Sequence, residues 1–263
     1  MQIKPYMIIA VGGALMSIAF AQKEKTVCGP ATLVGNGAAW CWAKLDASGT
    51  PVSMGVTLTE TALNGLPADE PGMSHGDMPM VEYAIELPSA IKGLPYEHLM
   101  LDWNPKGHDP KPIYGVPHFD VHFYTITEEA RKAITAEGPD MAKCAKAPDT
   151  AFVPAGYILP PGTIVPQMGA HWIDPTTPEL SGKPFTSTFL YGSYDGKTAF
   201  LEPMIALSFL QTKPNFTQAL KPMKSFDKTG YYPASYSVTY NADRHEYVIS
   251  LDNLSMQQMA ASK

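Results

Sequence analysis

Pro117-His118-Phe119-Asp120-Val121-His122-Phe123-Tyr124-Thr125-Ile126-Thr127 holds the densest run of chemically capable side chains in the sequence. Phe119, Val121, Phe123 and Thr125 alternate with His118, Asp120, His122 and Tyr124, a period of two that belongs to a strand with one apolar and one polar face. A helix would also bring His118 and His122 together, at i and i+4, but the aromatic and β-branched alternation argues against it. The strand reading has a metric consequence. At a rise of roughly 3.3 Å per residue, the Cα atoms of His118 and His122 stand about 13 Å apart. Zinc–nitrogen bonds are about 2.0–2.1 Å long, so the two rings share an ion only if they lean together or a bulge shortens the gap. His118 with Asp120, and Asp120 with His122, are half as far apart and make better ligand pairs. The bland counterpart is a polar cross-strand network, or a buried histidine held by an aspartate.

Outward from this strand, the same period recurs. Val81, Tyr83, Ile85 and Leu87 alternate, a further strand runs from about Glu97 to Trp103, and Phe185–Tyr191 pairs with Thr198–Leu210 around Asp195-Gly196. Asn36-Gly37 turns a hairpin from Ala31 to Leu45, with Trp40 and Trp42 expected on the core face, and Asn241-Ala242-Asp243 turns the last hairpin. Thr127 caps a helix expected to reach about Ala136, and a second covers Met141–Ala145. The tail from Ser255 reads as a frayed helix or disordered. With 25 Pro and 21 Gly dispersed without a repeat, the expected fold is mainly β: an antiparallel β-barrel or β-sandwich with one or two short helices.

Lys4, an apolar run from about Tyr6 to Phe20 and Ala19-Phe20-Ala21 read as a signal peptide over residues 1–21, too short for a spanning helix. Residues 22–263 are expected to form a single β-rich domain, exported to the periplasm or outside the cell, with no membrane insertion after cleavage. A net charge of −6 gives no footprint for nucleic acid. Three cysteines, Cys28, Cys41 and Cys144, permit one disulfide in an oxidising compartment. Cys28 with Cys41 is the first choice; pairings of either with Cys144 stay open.

One strand cannot close a site, so distant residues must complete it. Glu202 lies inside the apolar run Phe200-Leu201-Glu202-Pro203-Met204-Ile205, where a bare carboxylate is costly to bury without a partner. Pro203 cannot donate to a ladder and implies an edge strand or a bulge. His171 follows Gly169, which lets backbone or ligand approach closely. His122, His171 and Glu202, with His118 or Asp120 added, are therefore the expected ligands of one divalent ion, zinc, manganese or iron. Asp120 is the expected general base or a group orienting an imidazole, and Tyr124 a proton donor. His98 and His108 read as surface or loop histidines, His108 near enough to rim a pocket. Met73, His75, Met78 and Met80 form a soft-donor cluster suited to Cu(I), although methionine is common throughout this chain.

His118-Phe119-Asp120-Val121-His122-Phe123-Tyr124, Met168-Gly169-Ala170-His171-Trp172 and Tyr191-Gly192-Ser193-Tyr194-Asp195-Gly196-Lys197 with Phe200-Leu201-Glu202-Pro203-Met204 form an ordered set of motifs. Together with Asn104-Pro105-Lys106-Gly107-His108, the set resembles an uncharacterised family of exported bacterial proteins. That family includes a Thermus protein linked to an envelope-stress sigma factor, a ring-like homodecamer of unknown function. The resemblance implies a β-rich fold and a homo-oligomer; it implies no reaction. Three functions compete on this reading. A metal-free acid–base enzyme, with Asp120 and His122 acting as a dyad in an aromatic-walled pocket, is the first, and two more stand beside it. One is a metal-dependent hydrolase- or lyase-type enzyme acting on a small-molecule substrate. The other is a non-catalytic, small-molecule- or metal-binding oligomeric protein of the envelope.

Overall fold

Strand His118–Tyr124 is buried along its whole length, on both faces. In the computed structural model, which describes residues 24–68, 74–75, 78–89 and 91–261, it is an interior strand of a seven-stranded antiparallel sheet. The strand order is Ile164–Val165, Gly169–Trp172, Ser187–Tyr194, Lys197–Ala206, His118–Tyr124, His98–Asn104, Val81–Ile85. A second seven-stranded sheet runs Lys25–Cys28, Gly37–Leu45, Pro51–Thr59, Glu246–Asp252, Ser235–Asn241, Asn215–Ala219, with Thr32–Val34 also paired to Gly37–Leu45. The antiparallel sheet curls into a half-barrel. One apolar cluster joins the two sheets: Val56, Leu58, Ile249 and Leu251 of the second pack with Leu101, Phe119, Val121, Phe123 and Leu201 of the first. The odd residues of the central strand thus fill the common core. Its even, polar residues are left for the opposite face.

Several expectations need correction. Trp40 and Trp42 are only half-buried; the small residues that alternate with them, Ala39, Cys41 and Ala43, face the core. The first hairpin turns at Gly35-Asn36, with Val34 opposite Gly37, since Gly35 takes the positive φ of 52°. No disulfide forms among the described residues. Cys28 stands opposite Trp42, one residue out of step with Cys41, so the two thiols belong to opposite faces, and Cys144 is buried elsewhere. Short helices number four among the described residues: Lys111–Tyr114, Glu128–Lys132, Gly138–Cys144 and Leu207–Gln211. The first and last span four and five residues, too few for a 3.6-residue period to show, so the expected strand to Leu210 stops at Ala206. The helix capped by Thr127 ends at Lys132 rather than near Ala136.

Lys197–Ala206 is no edge strand. It pairs with Ser187–Tyr194 on one side and with the central strand on the other. Pro203 is accommodated because the ladder to the central strand lapses over Glu202 and Pro203, resuming at Met204 opposite Asp120. Ser255–Gln257, expected to fray, pairs with Gly230–Tyr232. The Asp195-Gly196 turn is as read, with φ of 49° and 75°. The leader at residues 1–21 lies outside the described residues, as does Met73 of the soft-donor cluster, and the side chains of His75 and Met78 are not described either. Among the described residues no helix is long and apolar enough to cross a membrane.

Candidate metal centre

Register decides which polar side chains meet. On the polar face, Asp102 stands opposite Asp120, Met100 opposite His122 and Asn104 opposite His118. On the other side, Leu201 opposite Phe123 and Met204 opposite Asp120 bracket Glu202 beside His122. One strand further, His171 pairs with Gly192, which itself pairs with Phe200. A Cβ at Gly192 would lie 2.0 Å from a Phe200 ring atom, so only glycine lets that ring lie across the strand. Phe200 then fills the corner between His122 and His171, at centroid distances of 4.9 and 5.0 Å.

Two triads result. In the first, His122, His171 and Glu202 each place a ligand atom within 4.8 Å of the others. Here His122 Nε2 is 3.5 Å from Glu202 Oε1, and His171 Nε2 is 3.7 Å from Glu202 Oε2. In the second, His108, His118 and Asp120 meet the same criterion. His118 Nε2 is 3.3 Å from Asp120 Oδ1, and His108 Nε2 is 3.5 Å from Asp120 Oδ2.

The proton of each imidazole is fixed from behind. Nδ1 of His171 lies 2.8 Å from the Thr163 carbonyl, Nδ1 of His118 2.7 Å from the Val116 carbonyl and Nδ1 of His108 2.7 Å from the Asp109 carbonyl. A carbonyl only accepts, so Nδ1 of these three rings carries a hydrogen, and in the neutral ring Nε2 keeps its lone pair. His122 places Nδ1 2.9 Å from Asp102 Oδ2, an ion-pair contact rather than an aligned hydrogen bond. All four rings turn Nε2 toward a carboxylate. That is the arrangement seen when a histidine ligand is oriented by an outer partner.

Such contacts are poor hydrogen bonds and good coordination edges. At 3.3 to 3.7 Å the four contacts are long for hydrogen bonds. Two atoms about 2.1 Å from one tetrahedral ion, however, lie about 3.4 Å apart, near the four separations found here. Glu202 Oε2, Asp120 Oδ1 and His118 Nε2 have no hydrogen-bond partner among the described residues although they are buried. Both donor sets fit a divalent transition ion.

Electrostatics separates the two triads. Burial, then the charges of Asp120 and Asp102, raises the Glu202 carboxyl well above its usual range. Burial, then neighbouring His122, pushes His171 down to about 3, so its ring is neutral at ordinary pH. At Asp120 burial acts upward, but the charge of His118 and contacts from His108 and His118 outweigh it and hold the group well below the carboxylate range. Burial alone would lower His108; its bond to Asp120 raises it instead. The way in is at the ends, where His171 and His108 side chains are 12% and 29% exposed while the other four are at most 4%.

His122, His171 and Glu202 are thus brought together, as expected of a single site. His118 and Asp120 are not part of that cluster; they form the second triad with His108, as the 13 Å spacing along a strand requires. Tyr124 is fully buried, stacked on His98 at 4.5 Å and against His122 at 5.4 Å, and burial followed by Asp102 raises its phenol well above the usual range. His98 opens the strand His98–Asn104 and is neither a loop nor a fully exposed residue. Asp102 and Asn104 went unread. Asn104 Nδ2 donates to Asp120 Oδ2 at 2.8 Å, and Asp102 sits within Leu99-Met100-Leu101-Asp102-Trp103, the same misplaced carboxylate in an apolar run that marks Glu202.

A family model described as TTHB210-like, hypothetical protein TTHB210, matches residues 46–103. No curated protein and no solved structure matches. The match supports a link to that family over this segment. The TTHB210-like segment carries Asp102, which orients His122, but none of the six triad residues.

Proposed function

We propose that the protein is a divalent-metal enzyme of hydrolase or lyase type whose ion is held by Nε2 of His122, Nε2 of His171 and the Glu202 carboxylate. The observation that carries this reading is the set of separations at tetrahedral-edge length between acceptor nitrogens and a carboxylate with an unsatisfied buried oxygen. Three protein ligands leave at least one position for water or a substrate oxygen, and zinc, manganese or iron there supplies Lewis acidity and an activated water. The chain's own part is orientation. Asp102 and the Thr163 carbonyl hold the two rings, and Phe200 and Tyr124 keep bulk water from their faces. The leader-like residues 1–21 support export, to the periplasm or beyond, as part of the same proposal.

A second reading is a non-catalytic, metal- or small-molecule-binding oligomeric protein of the envelope. It is favoured by the near closure of the first triad, where only His171 reaches solvent. Elemental analysis of untagged protein against a His122→Ala, Glu202→Ala double variant tests metal binding under both readings. Metal in the parent and none in the variant is expected; equal content overturns it. Hydrolysis of an ester panel by the loaded parent, absent after chelation, separates enzyme from binding protein.

A further inference from the structure

Outside the first triad, the strongest unassigned cluster is the second. His118 begins the central strand and Asp120 follows on the same face, both essentially buried. His108 comes from the loop after Asn104, and its ring meets His118 edge-on at 4.6 Å. Gly107 takes a φ of 60°, and a Cβ there would lie 2.0 Å from the Tyr114 carbonyl oxygen, so the loop must fold tightly onto Lys111–Tyr114. That fold delivers His108 to Asp120. Asn104 fixes the other side of the carboxylate by donating to Oδ2.

Three features point to a ligand rather than to a closed polar network. Both imidazoles set Nδ1 against a backbone carbonyl and turn Nε2 to Asp120. The nitrogen–oxygen separations, 3.3 Å to Asp120 Oδ1 and 3.5 Å to Oδ2, again lie near the length of a tetrahedral edge, about 3.4 Å. His118 Nε2 and Asp120 Oδ1, buried side by side, find no hydrogen-bond partner among the described residues. Two imidazoles and a carboxylate suit zinc, iron or manganese, and three ligands leave room for water on the exposed side at His108.

We propose that His108, His118 and Asp120 hold a second divalent cation beside the first, so that the chain carries a pair of ions along one face of the central strand. The pairing rests on the first triad's binding an ion; the second site itself does not. Asp120 would then serve as a ligand and not as the general base expected from sequence. Asn104 is a positioning residue for it.

Zinc titration of chelator-treated, full-length protein, read by calorimetry and by elemental analysis after gel filtration, tests this. Two ions per chain are expected in the parent and one each in His108→Ala and His171→Ala. His108→Ala removes a partly exposed loop side chain, and Asp120→Asn, near-isosteric, is the second variant; matching thermal melts show that both fold. One ion in the parent, kept in His108→Ala and Asp120→Asn but lost in His171→Ala, overturns the second site and leaves the first. One ion lost in His108→Ala and kept in His171→Ala does the reverse. None in the parent sinks both.

Discussion

Glu202 concentrates the conflict between stability and use. Its carboxyl is buried among Asp102, Asp120 and two acceptor nitrogens, and in the metal-free chain burial and the two aspartates keep it protonated well above the range of an exposed glutamate. The sign of the pH effect follows. Unfolded, the group titrates near its ordinary 4.5; folded, it titrates well above. Between these values the native chain holds a proton that the unfolded chain has released, so this contribution is complete below the lower value and is lost as pH rises through the upper one. In Glu202→Gln that loss disappears. Chelator-treated Glu202→Gln is therefore expected to be more stable than the parent, by about 1–3 kcal/mol at the alkaline end, with the gap widening as pH rises above the ordinary glutamate range. Denaturant unfolding measures this, and elemental analysis should show metal lost from the first triad. Parallel stability curves for parent and variant above that range contradict the account. Asp120 does not confound the comparison, since its lowered value acts at lower pH and is common to both proteins.

Strands rather than loops set most of this geometry, and that is why part of it was readable beforehand. Alternation in His118–Tyr124 specified which four side chains share a face, and rise per residue specified that His118 and His122 do not meet. Glu202 was readable as a carboxylate stranded in an apolar run. Asp102 carries the same signature, yet nothing local says that register sets it behind His122. His108 was not readable as a ligand, because a histidine among Pro, Lys, Gly and Asp is ordinary in a loop and only the tight fold at Gly107 aims it inward. At Gly192, the hairpin read around Asp195-Gly196 gave no hint that Phe200 lies across the glycine. Gly192→Ala is expected to push that ring toward His122 and His171, destabilise the fold by about 1–3 kcal/mol, and weaken metal binding at the first triad. In the Gly192→Ala, Phe200→Ala double variant the two stability losses should not add, because the clash has gone. Full additivity in a double-mutant cycle rules the contact out.

At the scale of the molecule, the first triad draws on three strands of one sheet: His118–Tyr124, Lys197–Ala206 and Gly169–Trp172. The second sheet is joined at its middle by pairing Pro51–Thr59 with Glu246–Asp252, a contact across most of the chain that no local pattern encodes. Chain sections far apart are thus held by strand pairing, by packing and by whatever bridges their polar faces. An ion bound to the native state and absent from the unfolded one stabilises by about 2.7 kcal/mol at a hundredfold excess over its dissociation constant. For a chain of this size about 1 kcal/mol moves the melting temperature by roughly 2–4 °C, so adding zinc to chelator-treated protein should raise Tm by about 5–11 °C per occupied site. The shift should be halved in His108→Ala or His171→Ala, and absent from a variant lacking both residues. If melts with zinc and with chelator superimpose, neither triad binds an ion tightly, and Glu202 and Asp120 are buried for reasons of assembly or folding instead.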